Sequence, residues 1–353
     1  MARLVLLFLV LVLFASRCGM PQRNMSKPHH IPGGFRNNYP HEVHGFGDFL
    51  KWKWQSRGHQ SKEVHYPVAA NDPKFLQQNR QQPTLTWIGH STFLLQFDGT
   101  NILTDPHCSE RASPVSFAGP RRKTPAGLAL EELPPIDIVV ISHNHYDHLD
   151  EETVQRLYER QKERPPRFFV PLGVRAFFAD RGIGGVVEMD WWDSLTLQDW
   201  TIHAVPVQHF SGRSLFDRNE TLWAGWVLEH PEFKFFFAGD TGYSKDFRDL
   251  GTRLGPFDLA AIPIGAYEPR WFMSAVHVDP EQAVKIHQDV GARYSVGMHW
   301  GTFMLADEDM DEPPRRLTVA LAAAGIPQER FFVMRHGDTR LLDFLVYSKN
   351  PSL

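Results

Sequence analysis

Along most of this chain, short apolar, β-branched or aromatic runs alternate with polar, glycine- or proline-rich turns. Thr84–Ile88, Thr92–Phe97 and Asn101–Thr104 read as strands, and Asp98-Gly99-Thr100 between the last two is a hairpin signal. Ile138–Ile141 is a β-branched run of the buried-strand kind. Further strands are predicted at Phe168–Pro171, Val186–Met189, Thr201–Val207, Leu222–Glu229 and Phe233–Phe237, then at Phe331–Met334 and Thr339–Leu342. Helical spacing marks Glu151–Glu163, which Pro165-Pro166 must end, and also Val174–Asp180 and Pro314–Ala324. Asp279 caps another helix, with Pro280 at its first position and Gln282 three residues past the cap. That helix runs to Val290 and stops at Gly291. Pro106–Pro135 is too long for a plain connector and is expected to wall a site. Two strand-rich halves, each with helices, predict an α/β fold over residues 84–345: a four-layer αβ/βα sandwich.

The flanks follow a different pattern. Residues 20–83 are polar and show little periodicity, as expected of an arm that packs on the core. Its Asn38–Trp54 stretch carries Phe46, Phe49, Leu50, Trp52 and Trp54. A sharper reading has these aromatics, with Lys51 and Lys53, meet a membrane. His41-Glu42-Val43-His44 lacks the spacing that places two zinc ligands on one helical face. At the start, Arg3 precedes the apolar run Leu4–Phe14, the layout of a secretory signal. At ~1.5 Å per residue that run is too short to span a bilayer core of ~30 Å. Residues 1–19 are therefore expected to be a cleaved signal or an N-terminal anchor; Arg17 argues against lipidation at Cys18. An exported protein is expected, periplasmic or lumenal and membrane-associated. Residues 346–353 form a tail.

Composition narrows the choice only a little. A length of 353 residues allows one large domain or two ordinary ones. A net charge of -4 gives no support for nucleic-acid binding, which needs a basic face. Ten Trp and 26 Phe suit a thick core or a lipid contact. With Cys18 removed, Cys108 stands alone as a free thiol and no internal disulfide can form.

The chemistry concentrates after the strand at Ile138–Ile141, in Ser142-His143-Asn144-His145-Tyr146-Asp147-His148. His143 and His145, two apart, leave an extended chain on the same side. Past the following turn, Asp147 and His148 can face a second centre. Imidazoles and a carboxylate are the ligand types of zinc and other borderline divalent ions. The alternative is a polar turn with solvated histidines, which a cluster of this density at a strand end disfavours.

The pattern His-x-His-x-Asp-His resembles the signature of the metallo-β-lactamase superfamily. That resemblance implies further ligands at later strand ends, for which His209, Asp240 and His299 are in order. It implies one zinc on His143, His145 and His209, a second on Asp147, His148 and His299, and Asp240 bridging the two. Two ions of this kind can share a hydroxide and neutralise a phosphodiester.

More specific blocks resemble the N-acyl-phosphatidylethanolamine-hydrolysing phospholipase D branch. They are Trp87-Ile88-Gly89-His90-Ser91, Thr104-Asp105-Pro106, Gly239-Asp240-Thr241-Gly242, Tyr267 to Met273, His277 to Glu281 and His299 to Phe303. The branch also holds sugar-lactone hydrolases. The resemblance implies cleavage of N-acyl-phosphatidylethanolamine to N-acylethanolamine and phosphatidic acid, at a membrane surface whose phospholipid is the substrate. The alternatives are a hydrolase of a lactone or another phosphodiester, and a non-catalytic metal- or lipid-binding protein. Asp147 and His277 are the expected catalytic residues, and Tyr146 and Arg270 the expected substrate contacts. Asp105 and His90 are read either as partners behind the ligands or as structural residues. Arg213, Arg121 and Arg122 are further candidates for a phosphate. Val276 replaces the glutamine of the family pattern just before His277. His203, His230, His287 and His336 are read as structural. A homodimer is compatible with the sequence. No His has Lys two positions on, which excludes the zinc-independent phospholipase D mechanism, and no Gly-x-Ser-x-Gly elbow is present.

Overall fold

A computed structural model describes residues 23–59 and 61–343. The expected signal at residues 1–19, with Cys18, and the tail at 346–353 lie outside the described residues.

The arm is more structured than its composition predicts. It contains a small hairpin, β1 (His30–Ile31) and β2 (Gly34–Phe35), then helices α1 (Phe46–Gln55) and α2 (Pro73–Gln78). The core begins with β3 (Thr84–Gly89), β4 (Thr92–Phe97) and β5 (Thr100–Thr104). After the long loop come β6 (Ile138–Val140), α3 (Glu151–Arg160), β7 (Arg167–Pro171), α4 (Arg175–Ala179) and β8 (Val186–Met189). The second half comprises β9 (Ser194–Leu197), β10 (Trp200–Val205), β11 (Gly225–His230), β12 (Phe233–Phe237), α5 (Asp246–Leu254) and β13 (Phe257–Pro263). It ends with α6 (Arg270–Met273), α7 (Pro280–Asp289), β14 (Ala292–Met298), α8 (Glu312–Ala324), β15 (Phe331–Phe332) and β16 (Thr339–Leu341).

These strands form two seven-stranded sheets, ordered β16-β3-β4-β5-β6-β7-β8 and β15-β14-β13-β12-β11-β10-β9. Each is antiparallel on one side and parallel on the other, the parallel strands being β5 to β8 and β12 to β15. Period-2 alternation sorts the side chains into layers. Leu85, Trp87, Phe93, Leu95, Ile138, Val140 and Phe169 enter the core shared with the second sheet. Leu94, Val139, Phe168 and Val170 point the other way, onto α2, α3 and α4 through Leu76, Val154, Leu157 and Phe178. Phe247 and Leu250 of α5, Ala283 and Ile286 of α7 and Leu317 and Leu321 of α8 cover the second sheet. The result is the four-layer αβ/βα sandwich. Strands buried on both faces also explain why their runs are continuously apolar.

Element ends shift where residues bond across to other segments of the chain. The expected strand from Leu222 begins only at Gly225, because Leu222 N–H donates to Leu172 O (2.8 Å) and Ala224 N–H to Ser142 O (2.9 Å), across to the first sheet. The helix expected to reach Glu163 ends at Arg160, because the Gln161 amide bonds both N and O of Ile136 (2.8 and 3.0 Å). The Asp279 cap is formed as the sequence predicts, its carboxylate accepting from Gln282 N–H at 2.8 Å. Among the described residues no helix is long and apolar enough to cross a membrane.

Candidate metal centre

Strand ends on one edge of the sandwich supply the site. His90 follows β3, Asp105 follows β5 and the Ser142–His148 loop follows β6. His209, Asp240 and His299 follow β10, β12 and β14 in the second sheet. Gly239 lets the two halves meet. Its φ is +61°, and a Cβ there would lie 2.5 Å from the Cβ of Ser142. Trp226 Nε1–H closes the same seam by donating to Ile141 O at 2.9 Å.

Two groups of donor atoms converge. His143 Nε2 and His209 Nε2 lie 2.8 and 3.3 Å from His145 Nδ1. Beside them, His148 Nε2 and His299 Nε2 are each 3.1 Å from Asp240 Oδ2 and 3.4 Å from Asp147 Oδ2. A tetrahedral zinc with Zn–N of ~2.0–2.1 Å holds its ligand atoms roughly 3.3 Å apart, so both groups have the spacing of a coordination shell. Asp240 Oδ2 is also 3.9 Å from His209 Nε2, between the two groups.

A further test comes from satisfaction of polar atoms. His148 Nε2, His299 Nε2, Asp240 Oδ1 and His277 Nδ1 are buried without a hydrogen-bond partner. The 3.1 Å approaches of His148 and His299 to Asp240 are therefore charge contacts without hydrogen-bond alignment. Buried polar atoms left this way are costly unless something else binds them. A divalent cation fits both the donor types and the convergence.

The surroundings fix which ring atom faces inward. Asp105 Oδ2 takes the Nδ1–H of His148 (2.6 Å), and the same carboxylate accepts from Ser142 N–H (2.6 Å) and Oγ–H (2.5 Å). His143 Nδ1 meets Ser142 Oγ at 2.9 Å, and His209 Nδ1–H donates to Val276 O at 2.9 Å. His90 Nε2 lies 2.9 Å from Asp147 Oδ2. His90, Asp105 and His299 all have left-handed backbones (φ 53°, 32° and 63°), strain of the kind concentrated at functional sites.

The two groups differ electrically. Burial, then the neighbouring imidazoles, holds His143 well below the ordinary histidine value; burial brings His145 down to about 4 and lowers His209 strongly. Neutral imidazoles are the ligating form. In the second group burial is outweighed: Asp240 and Asp147 raise His299 to about 9 and His148 well above its usual value. The same pairing holds both carboxyls far below their usual range despite burial. Those imidazole protons stand where a bound cation would displace them.

The other expected residues have definite places. His277 Nδ1 is 3.9 Å from Asp240 Oδ2, and burial lowers the ring to about 4. Tyr146 O–H donates to Arg213 O (2.9 Å) beneath the Arg213 guanidinium, 3.9 Å from the ring centre. Arg270 is turned into the wall behind the site: it donates to His277 O (2.9 Å) and Gln282 Oε1 (2.8 Å) and pairs with Asp279 (3.2 Å). In this position it supports His277, and its donors are already engaged. The Cys108 thiol is pushed up to about 11 by burial, which leaves it inert.

One buried contact has no counterpart in the sequence reading. Asn37, in the arm, accepts from His209 N–H (3.1 Å) and donates to His209 O (2.8 Å). No spacing rule connects residues so far apart in the chain. The only local hint is a polar residue among aromatic neighbours, which is a weak signal.

Residues 100–300 match the family described as the β-lactamase superfamily domain. A Caenorhabditis elegans protein named N-acyl-phosphatidylethanolamine-hydrolyzing phospholipase D 1 is 44% identical over 240 residues, 65% of this chain and 67% of that protein. A mitochondrial protein of the same enzyme name from Saccharomyces cerevisiae is 36% identical over 289 residues, 80% of this chain and 60% of its own length. Among solved structures, a metallo hydrolase from Ignicoccus hospitalis is similar with a TM-score of 0.54 and 22% identity, over 74% of this chain and 98% of that one.

Proposed function

The chain belongs to the metallo-β-lactamase superfamily as a metal-dependent hydrolase related to N-acyl-phosphatidylethanolamine-hydrolysing phospholipase D, and on that premise we propose that it is a zinc-dependent phospholipase D-type phosphodiesterase. It cleaves N-acyl-phosphatidylethanolamine to an N-acylethanolamine and phosphatidic acid. The observation that carries the reading is the pair of buried donor groups meeting at Asp240, together with the enzyme name of two relatives. A donor set dominated by imidazoles, with two carboxylates, favours zinc over the harder ions.

His143, His145 and His209 would hold one ion, Asp147, His148 and His299 the other, and Asp240 would touch both. When bound, such a pair lowers the pKa of water toward ~7 and neutralises charge on a phosphoryl group. The chain's own residues supply the rest. Asp147, kept anionic by His148 and steadied by His90 Nε2, accepts a hydrogen bond from the attacking water. His277, neutral near pH 7, is a poor acid but a good donor, and its unpartnered Nδ1 in the N–H tautomer binds a phosphoryl oxygen. Arg270 holds the carbonyl of His277, and the Asp279 cap fixes the backbone two residues on.

A lipid substrate implies a membrane surface. Phe117, Leu215 and Phe216 are 81%, 79% and 87% exposed. They ride on loops bordering the metal loop, where Ser109, Ser113, Tyr146 and Arg213 are among the residues lining a cleft of about 580 Å³. Phe46, Leu50 and Trp54 of α1 are exposed, while Trp52 on the same helix stacks on Phe272 of α6 at 5.1 Å. Exposed apolar side chains of this size, carried on loops beside the site, fit insertion among lipid headgroups.

The test is product analysis of the zinc-loaded protein on N-acyl-phosphatidylethanolamine, on a soluble phosphodiester and on a lactone, with His145→Ala as control. Release of N-acylethanolamine with phosphatidic acid, abolished in the variant, is expected. Turnover of the lactone alone overturns the substrate assignment.

A further inference from the structure

An anionic diester carries charged oxygens that a cation beside the metal pair can meet, and the arginines that the sequence offers for this are bonded to other groups. Arg213 donates to Asn144 O (2.9 Å) and Leu149 O (2.8 Å), fastening the metal loop. Arg122 is bound to Ser109 O and to both His107 O and Nδ1. Arg270 braces His277, and Arg121 reaches only Glu110, at 3.4 Å on the surface.

Arg218 is placed differently. Its guanidinium lies over the Phe210 ring, 4.3 Å from the centroid. That ring touches both His145 (4.5 Å, 66°) and His209 (4.9 Å, 38°). Among the described residues no carboxylate pairs with the Arg218 guanidinium and no acceptor takes a hydrogen bond from it. The loop beneath it is nevertheless fixed. Asp217 accepts from the N–H groups of Arg213 and Ser214, and Asn219 bonds Ser211 O (2.9 Å) and Phe35 N (2.9 Å) through its backbone. An ordered loop thus presents an unpaired cation on an aromatic platform against two imidazoles of the centre.

Placing a guanidinium beside a site built for divalent cations adds like charge, an arrangement that is unfavourable until an anion enters. We propose that Arg218 is the anion-recognition residue of this site, donating from the Phe210 platform to a non-bridging oxygen of the substrate phosphodiester. The assignment rests on the phosphodiesterase reading and deepens it: Arg218 selects charged diesters over neutral lactones. Guanidinium is suited to the role because it stacks on a ring and forks onto two oxygens.

The experiment measures binding of a non-cleavable, anionic phosphonate analogue of N-acyl-phosphatidylethanolamine to the zinc-loaded protein. Arg218→Gln, Arg218→Lys and a neutral ester of the same chain length complete the design, and steady-state kinetics run in parallel. Arg218→Gln is expected to weaken the phosphonate about tenfold or more, to leave the neutral ester and the metal content unchanged, and to raise KM far more than it lowers kcat. Arg218→Lys is expected to fall between. Phosphonate affinity within about twofold of the parent in Arg218→Gln overturns the assignment. If the parent cleaves no N-acyl-phosphatidylethanolamine but Arg218→Gln still weakens the phosphonate, Arg218 keeps its role and the proposed substrate fails instead.

Discussion

The amide of Asn37 brackets the peptide of His209, its Oδ1 3.1 Å from the histidine N and its Nδ2 2.8 Å from the histidine O. An arm that reads as mere wrapping therefore fixes the backbone of a metal-site residue, while Trp223 Nε1–H donates to the same Oδ1 at 3.1 Å. Asn37→Ala removes both bonds and leaves two buried backbone groups unsatisfied. It is expected to weaken ion affinity about tenfold or more, as loss of a supporting contact does elsewhere, with the circular dichroism spectrum intact. Competition with a zinc chelator measures it.

His277 separates chemistry from metal binding. Its Nδ1 faces Asp240 from 3.9 Å and its backbone is held by Arg270. His277→Ala is expected to lower kcat about a hundredfold or more while both ions remain. Turnover with zinc content measured on the same sample decides it; loss of an ion in the variant would make His277 a ligand instead.

Much of this centre was legible because strand patterning and ligand chemistry coincide. Ile138–Val140 and Phe233–Phe237 each deliver a donor just past the strand end, and an apolar run followed by His or Asp is visible in one dimension. Less was legible where the deciding partner is remote. Helix α1 has no clean stripe, because Trp52 alone is buried while Phe46, Leu50 and Trp54 stay exposed. Its place depends on Trp52 Nε1–H donating to Asp307 (2.8 Å) and on the ring stacking against Phe272. Arginines are indistinguishable in sequence, and only their partners separate Arg213, bonded through Nη1, and Arg270, bonded through all three guanidinium nitrogens, from Arg218.

Acid should loosen the fold through a histidine far from the ions. His287, on α7 with Nδ1 2.8 Å from Ser295 Oγ of β14, is lowered to about 4 by burial and by Arg330. In the unfolded chain its value is near ~6.5. A depressed folded value means that unfolding takes up a proton, so the stability is full above about pH 6.5 and is lost as pH falls toward about 4. The melting temperature of the ion-loaded protein is expected to drop across that window, and to drop less in His287→Gln. Equal slopes for parent and variant in a thermal melt series would contradict it.

The exposed rim residues give a separate handle on the membrane reading. Leu215→Ser with Phe216→Ser removes two side chains that stand almost wholly in solvent. At about 1.5–3 kcal/mol for each apolar side chain fully buried, the pair is expected to cut binding to phospholipid vesicles about tenfold or more. Hydrolysis of a soluble phosphodiester should be unchanged. Sedimentation with vesicles measures the first, and a spectrophotometric assay the second.

Attack of water on phosphorus, beside His143, His145, His209 and Asp147, His148, His299, is the step on which the proposed function turns. It is tested most directly by running the zinc-loaded protein on N-acyl-phosphatidylethanolamine in heavy-oxygen water and weighing both products. The heavy oxygen is expected in phosphatidic acid and none in the N-acylethanolamine. Heavy oxygen in the N-acylethanolamine, or no release of either product from a protein that carries its zinc, would contradict it.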